Sequence, residues 1–256
     1  DSLINDAYRA VGTAHPRWWW LLDRQIVNTT NDIDTGTVAA TKGVTGITFS
    51  SAPTASVAGA KILVTGNSSD ANAAYRIATH TAASTAATLD AAYTGTTVTA
   101  SAFKVYTDEY SLATDTNAPV TVLRSGYAQP MREIGWQDMD TLKGHDTRSG
   151  KPHYWSVRNF ATSGDPTTAK RLVIHPYPDD TYRLEIQYIQ TLNTEVSGTT
   201  RYLIPDDYVD ILIHATLADG YPIFLNDTDR GTYHRTQANN LLARMIATQR
   251  KYDDAP

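Results

Sequence analysis

The alternation of hydrophobic and polar positions changes character twice along the chain. Near the start, apolar side chains recur at helical spacing at Leu3, Ile4, Ala7, Tyr8 and Val11. This spacing predicts a short amphipathic helix. Gly12 and Pro16 follow directly, and both residue types break helices, so we expect the helix to end there.

The middle of the chain, from about Thr35 to Leu112, alternates with a period of two. Short runs of β-branched and aromatic residues are separated by Gly, Asn and Ser, a pattern typical of half-buried antiparallel strands. In the run "FKVY", Phe103 and Val105 are predicted to face the core, with Lys104 and Tyr106 facing outward. Strands are predicted near residues 36–41, 46–50, 60–65, 73–79, 86–90 and 102–107. Six short strands at near-regular spacing indicate a small barrel or sandwich.

Beyond Leu112 the pattern predicts further strands and then helices. The clearest strand places Tyr182, Leu184, Ile186 and Tyr188 on one face. The last quarter of the chain predicts two helices. The first starts at the Pro205 turn, where proline and the acidic residues after it suit a helix N-terminus. Its apolar stripe is Tyr208, Ile211, Leu212, Ala215 and Ala218.

The boundary between these two helices is also visible in the sequence. Gly220 and Pro222 are expected to weaken or end the first helix, and "NDTDRG" supplies capping residues for the second. The apolar stripe of the second helix is Tyr233, Leu241, Leu242, Met245 and Ile246. Two helices with a short connection predict an antiparallel hairpin.

These patterns together predict an α+β fold. We expect a helical core with a C-terminal antiparallel helix hairpin and antiparallel strands, formed by residues 1–34 and 113–256. A small all-β barrel or sandwich domain, residues 35–112, is expected to be inserted into it, because the composition shifts at both of its borders.

Composition narrows the function. The chain has 256 residues, 41% of them hydrophobic, which suffices for a packed core in one or two domains. Cysteine is absent, which excludes disulfides and thiolate metal sites. The net charge of −5 argues against a nucleic-acid grip, which needs a basic surface. No apolar run approaches the length of a membrane span, so no membrane association is expected.

A search for catalytic chemistry finds weak candidates. His175 lies near Asp179 and Asp180, but Pro-Asp-Asp between strands is ordinary turn sequence. Asp206 and Asp207 are neighbours at a helix start, where successive side chains point apart. His214 is better read as a structural histidine than as a ligand. We therefore predict no catalytic, cofactor-binding or metal-ligating residues, no cofactor and no enzymatic activity.

Two groups of aromatic residues leave binding alternatives open. The run "RWWWLL", residues 17–22, is interpreted as core packing between two layers, with a ligand-stacking platform as the alternative. Five rings within the β-region provide the basis for a second hypothesis, a carbohydrate-binding face. They are Tyr75, Tyr93, Phe103, Tyr106 and Tyr110.

An ordered series of short motifs carries a family resemblance. After the N-terminal helix and the Trp-rich segment come "GTV", "YRI", "TLDAAYTG", "VYTDEYSL", "YPDDTYRL", "IPDDY" and "ND". They occupy residues 36–38, 75–77, 88–95, 105–112, 177–184, 204–208 and 226–227. In this order they resemble the head-to-tail adaptor (connector) proteins of tailed bacteriophages, including the tail tubular proteins of short-tailed phages. Ala113 departs from the proline expected after "YSL".

The resemblance implies a structural virion protein at the head–tail junction, made in the cytoplasm of the host bacterium. Similar proteins form a ring, commonly of twelve copies, between the portal protein and the tail or nozzle protein, with DNA passing through the lumen as cargo. It further implies that the C-terminal segment docks on the portal through Arg250, Lys251 and Tyr252. The helix dipole alone also accounts for the two cations. Another phage tail component (a terminator or baseplate protein) and a carbohydrate-binding adhesion module remain the alternatives.

Overall fold

The computed structural model describes residues 2–15, 17–66, 73–127, 129–145, 148–162, 165–192 and 202–253. Its α-helices are α1 (Ser2–Thr13), α2 (Trp136–His145), α3 (Val209–Leu225) and α4 (Thr228–Asp253). Its strands are β1 (Leu22–Asn28), β2 (Val38–Ala40), β3 (Gly46–Phe49), β4 (Lys61–Val64), β5 (Ala74–His80), β6 (Ala86–Leu89), β7 (Val98–Ser101), β8 (Phe103–Tyr106), β9 (Glu109–Ser111), β10 (Thr116–Arg124), β11 (Arg132–Glu133), β12 (Tyr154–Thr162), β13 (Asp165–His175) and β14 (Arg183–Gln190). The α+β class and the C-terminal helix pair are as predicted.

Seven of these strands form a nearly closed, barrel-like antiparallel sheet in the order β7-β2-β3-β6-β5-β4-β8. The two end strands of this order are consecutive in sequence, with Ala102 between them. The barrel encloses a core of its own. Its buried members are Val38, Ala40, Ile47, Phe49, Val57, Ala60, Ile62, Val64, Tyr75, Ile77, Ala87, Leu89, Tyr93, Phe103 and Val105.

Two expectations for this region need correction. The sequence predicted six strands, but the barrel has a seventh, β7, whose two middle residues are exposed and whose buried last residue is a serine, so it shows little apolar alternation. Tyr106 was predicted to face outward, but it is buried. Its ring stacks on that of Tyr177, outside the barrel core, so the side opposite to that core is covered as well.

A four-stranded sheet, in the order β11-β12-β13-β9, follows the barrel along the chain. All of its pairings are antiparallel except β11 with β12. Its core includes Trp155, whose indole Nε1 donates to the carbonyl of Met131 at 3.1 Å. Helix α2 packs on β12, and an ion pair joins Asp140 of the helix to Arg158 of the strand.

A third sheet has the order β1-β14-β10. On β14 the predicted inward residues Leu184, Ile186 and Tyr188 are buried, whereas Tyr182 precedes the strand and is half-buried. Helices α1 and α4 both pack against α3. Their shared core contains Tyr8, Val11, Trp18, Leu21, Ile189, Ile204, Ile211, Leu212 and Met245.

The chain divides into two compact units. Residues 1–24, 115–120 and 187–256 form the first unit, and residues 25–114 and 121–186 form the second. The predicted insert, 35–112, lies within the second unit. Its last strand, β9, pairs with β13 of the four-stranded sheet and not with the barrel.

Candidate interaction surfaces

The α3–α4 hairpin is built by the capping residues that the sequence indicates. Asn226 ends α3 in the left-handed conformation with φ 52°, a conformation that asparagine tolerates better than most residues. Asp227 precedes α4, and its Oδ1 accepts a hydrogen bond from the backbone N–H of Arg230 at 3.0 Å. This bond satisfies one of the free N–H groups at the helix start. The predicted start of the second helix is therefore confirmed.

Helix α3 runs farther than predicted. Gly220 and Pro222 were expected to weaken or end it, and the helix continues through both residues to Leu225. Packing against α4 accounts for this, because Gly231 of α4 lies directly against the proline ring. A Cβ atom added at Gly231 would be 2.6 Å from Pro222 Cγ and 3.0 Å from the carbonyl oxygen of Ala218. The absent side chain lets the two helices approach closely where α3 lacks a backbone N–H donor.

The end of α3 carries an exposed apolar cluster, which we call the hairpin tip. Its members are Ile223, Phe224 and Leu225, which are 63%, 74% and 66% exposed. Tyr233 of α4 is 60% exposed, so its predicted place in the buried stripe is wrong. Single exposed apolar residues are ordinary, but three consecutive ones of this size characterise interaction surfaces.

Two histidines meet between α3 and α4. The Nδ1 atoms of His214 and His234 lie 2.8 Å apart, a hydrogen bond in which one ring donates and the other accepts. The ring of Tyr221 stacks on that of His234 with centroids 5.3 Å apart. These contacts fit the predicted structural role of His214.

The far end of α4 holds the residues that the sequence assigned to portal docking. Gln249 is buried, and its side-chain oxygen accepts a hydrogen bond from the backbone N–H of Trp19 at 2.8 Å. Arg250 and Lys251, directly after it, are exposed. The side chain of Tyr252 lies outside the described residues. The last helical turn therefore combines a buried anchor with two exposed cations.

The aromatic candidates for ligand binding are core residues. Trp18 is fully buried, and its indole N–H donates to the carbonyls of Val11 and Gly12. Trp19 and Trp20 are half-buried around it. The five rings proposed for a sugar-binding face, Tyr75, Tyr93, Phe103, Tyr106 and Tyr110, are all buried. They present no exposed aromatic face.

A buried charge cluster, which we call the junction network, lies where the chain leaves the barrel. Asp108 forms ion pairs with Lys143 of α2 and with Lys61 of β4, the latter at 3.1 Å. Glu109 pairs with the same Lys61 at 2.7 Å and with Arg171 of β13 at 3.7 Å. Three cations thus face two carboxylates, and they connect the barrel to the four-stranded sheet and its helix.

The two lysines of this network respond differently to burial. Burial lowers the pKa of Lys143, Asp108 opposes that effect, and repulsion from Lys61 adds to it, so the net pKa is lowered. Burial also lowers the pKa of Lys61, but attraction to Asp108 and Glu109 outweighs this effect, so the net pKa of Lys61 is raised. No periodic pattern in the sequence indicates this network, because its members come from β4, β9, α2, β13 and the link before β9.

The remaining chemical candidates are not assembled into a site. Asp179 accepts a hydrogen bond from the hydroxyl of Tyr182 at 2.6 Å, and the Asp180 carbonyl accepts one from Thr29. Asp206 and Asp207 lie in a single 3-10 turn before α3. Within the described ranges no group of three or more His, Cys, Asp or Glu residues is arranged to hold a metal ion. In those same ranges no helix is both long and apolar enough to span a bilayer.

Comparison with known proteins supplies the family. No curated protein matches the sequence. The family model described as SU10 adaptor protein matches residues 68–256, which is well over half of the chain and includes most of the barrel strands, all of α2, and the complete hairpin. This match confirms the resemblance to phage head-to-tail adaptors that the ordered motifs carry. The chain belongs to the SU10 adaptor protein family.

Proposed function

We propose that this protein is a head-to-tail adaptor that assembles as a ring of twelve copies between the portal protein and the tail or nozzle protein of a tailed phage. In this role it is a structural component of the virion and catalyses no reaction. Family membership supports an adaptor, and the exposed hairpin tip is the observation that carries the proposal. Three large apolar residues in water favour a permanent protein contact over an isolated subunit.

The far end of α4 supplies the second contact of the proposal. Arg250 and Lys251 extend beyond the point where Gln249 fixes the helix to the backbone of Trp19. Cations on a rigid helix end lose less freedom on binding than cations on a free tail. We propose that Arg250, Lys251 and Tyr252 dock on the portal protein.

In this proposal DNA passes through the lumen of the ring without being bound by the protein. The chain has 22 Lys and Arg against 27 Asp and Glu residues, so it carries no overall excess of cations for phosphates. Each phosphate neutralised by a protein adds salt-dependent affinity, which would hold back moving DNA. A conduit functions better with a weakly acidic wall.

The barrel is proposed to be a rigid inserted domain that gives neighbouring copies and tail proteins a broad contact face. It has its own core between Val38 and Val105. Interfaces of stable assemblies depend on shape complementarity over a large area more than on reactive groups. A role as a contact face would explain why residues 35–112 are mainly small and β-branched and carry no candidate catalytic group.

Electron microscopy of the protein mixed with candidate portal rings tests the proposal. We expect rings of twelve copies on the portal for the wild type and none for Phe224→Asp, because the new carboxylate would lose its hydration in the contact. Trp136→Asp is the matched control, since Trp136 is an exposed aromatic residue of α2, outside both the hairpin tip and the barrel. Recruitment of Phe224→Asp at wild-type occupancy would contradict the role of the tip, and failure of the wild type to bind would contradict the adaptor function.

Truncation of α4 separates docking from folding. Ending the chain after Gln249 removes the three proposed docking residues and keeps the buried anchor, so we expect a folded protein that no longer binds portal. Ending it after Thr248 also removes Gln249 and leaves the Trp19 N–H without this acceptor. That shorter protein is expected to be less stable by about 1–3 kcal/mol, measured by urea denaturation. If the protein that ends after Gln249 still binds portal, docking through residues 250–252 is excluded.

A further inference from the structure

A buried arginine that has no carboxylate partner among the described residues lies at the end of β10. Arg124 is 5% exposed, and its Nη1 donates to the carbonyl of Pro152 at 2.8 Å. Its Nε has no hydrogen-bond partner in the described part of the chain. A single carbonyl and two aromatic rings leave the charge of the guanidinium uncompensated, whereas buried arginines are ordinarily paired.

Arg124 lines a small cavity of about 190 Å³. The ring of Tyr127 covers the guanidinium at 3.6 Å, and Met131 and two prolines supply apolar walls. The described lining residues include no acid; they are Arg124, Tyr127, Gln129, Pro130, Met131, Pro152 and His153. The cavity is smaller than the 300–1,000 Å³ usual for whole small-molecule ligands, so it suits one side chain.

Further basic groups surround the opening. Lys151 Nζ donates to the hydroxyl of Tyr127 at 3.0 Å and, together with Arg124, lowers the pKa of that hydroxyl. His153 is exposed at the rim. The acid Asp179 accepts a hydrogen bond from the hydroxyl of Tyr182 and is not among the described residues that line the cavity.

We propose that this cavity binds the carboxylate of a glutamate or aspartate side chain presented by a partner protein. The planar guanidinium fork matches a carboxylate, and the apolar walls match the methylene groups that carry it. A nucleotide phosphate brings a sugar and a base that 190 Å³ does not hold. The identity of the partner as a protein of the virion rests on the proposed function, whereas the carboxylate site does not.

The test uses the full-length protein and short blocked peptides. Acetyl-Gly-Glu-Gly-amide is titrated while the Nε–H signal of Arg124 is followed by NMR, with the Gln peptide as the neutral control. We expect saturable shifts with the Glu peptide alone. Arg124→Gln and Lys151→Met should each weaken binding about tenfold, because each removes a charge-assisted contact. For the variant without Arg124, binding is followed through the backbone N–H signals of Tyr127 and Lys151.

Lys42→Met is the matched control, since Lys42 is an exposed lysine of the barrel region, remote in sequence from the cavity. Should Arg124→Gln fail to fold, Lys151→Met alone decides, because Lys151 is exposed. Equal responses to the Glu and Gln peptides, or equal losses for Lys42→Met and Lys151→Met, would overturn the proposal. Saturation by inorganic phosphate or by duplex DNA without a response to the Glu peptide would also overturn it. None of these outcomes bears on ring assembly, which the portal experiment measures separately.

Discussion

The ring of Tyr106, from the last strand of the barrel, stacks on the ring of Tyr177 with centroids 4.1 Å apart and an angle of 22° between the planes. Together with the junction network, this stack attaches the barrel to the rest of the second unit. Both contacts lie at one end of the inserted segment, next to Asp108 and Glu109. Tyr106, Asp108 and Glu109 are not part of the barrel core.

This arrangement makes the independence of the barrel testable by two deletions. Replacing residues 35–107 with a short Gly-Ser linker keeps β9 and leaves Asp108 with Lys143 and Glu109 with Arg171. We expect that variant to stay folded by circular dichroism. Replacing residues 35–112 removes β9 and leaves Lys143 and Arg171 without these carboxylates, and we expect it to be unstable. A folded 35–112 deletion, or an unfolded 35–107 deletion, would show that this boundary is wrong.

The junction network predicts an asymmetry between its members. Asp108→Asn leaves three cations facing one carboxylate in a buried place, and we expect a loss of about 3–5 kcal/mol in the free energy of unfolding. Lys143→Met leaves two cations and two carboxylates and removes the lysine whose pKa burial lowers. We expect this change to be close to neutral. Urea denaturation measures the free energy of unfolding of both variants. Equal losses would contradict the argument that the excess of cations decides the effect.

The contact between α3 and α4 predicts opposite effects for two glycines. Gly231→Ala places a methyl group against the rigid Pro222 ring and the Ala218 carbonyl, and overpacking of this kind costs about 1–3 kcal/mol. Gly220→Ala is the matched control, because Leu3 Cδ1, at 4.0 Å, is the nearest atom to its added Cβ. It should stabilise the protein by roughly 0.4–1 kcal/mol by restricting the unfolded chain. Thermal denaturation distinguishes the two, and a stabilising Gly231→Ala would refute the close approach.

The stability of the first unit should fall in alkali through Tyr188. Burial and the nearby carboxylates of Asp115 and Asp23 raise its pKa from 10.0 to about 12. The folded state therefore favours the neutral phenol. The stabilisation is complete below pH 10.0 and declines as the pH rises toward about 12.

Urea denaturation across that pH range checks the expectation. Tyr188→Phe should show a shallower alkaline loss than the wild type, because it has no proton to release. Tyr233→Phe serves as the control, since that ring is 60% exposed on α4. If Tyr188→Phe loses stability as steeply as the wild type, Tyr188 does not carry the effect.

The sequence predicts those parts of the fold that depend on local periodicity. The hairpin follows from the apolar stripe and from Asn226 and Asp227, and the barrel strands follow from alternation. Tyr106 was predicted to be exposed because alternation assigns only one face of a strand to the core. It cannot show that another residue, here Tyr177, covers the opposite face. The sequence left open whether Pro222 would weaken or end α3, because the outcome depends on Gly231, a glycine in another helix.

The charged sites were missed for a related reason. Arg124 shares the inward face of β10 with Val122, so strand parity alone places it on the buried side. The sequence does not show that the cavity around Arg124 has no carboxylate among its described lining residues; the folded structure does. Asp108 and Glu109 read as ordinary polar residues between two strands until Lys61, Lys143 and Arg171 are brought around them.

The hairpin tip gives the proposed assembly a characteristic dependence on temperature. Contacts that bury apolar groups such as Ile223, Phe224 and Leu225 are driven by the release of water, and they weaken on cooling. The proposed portal contacts of Arg250 and Lys251, at the other end of α4, would respond mainly to salt. Cold, salt-free buffer would therefore favour separate subunits at the tip while preserving charged contacts. Warming in moderate salt would do the reverse, so the two ends of one helix hairpin can be engaged in either order by choice of conditions.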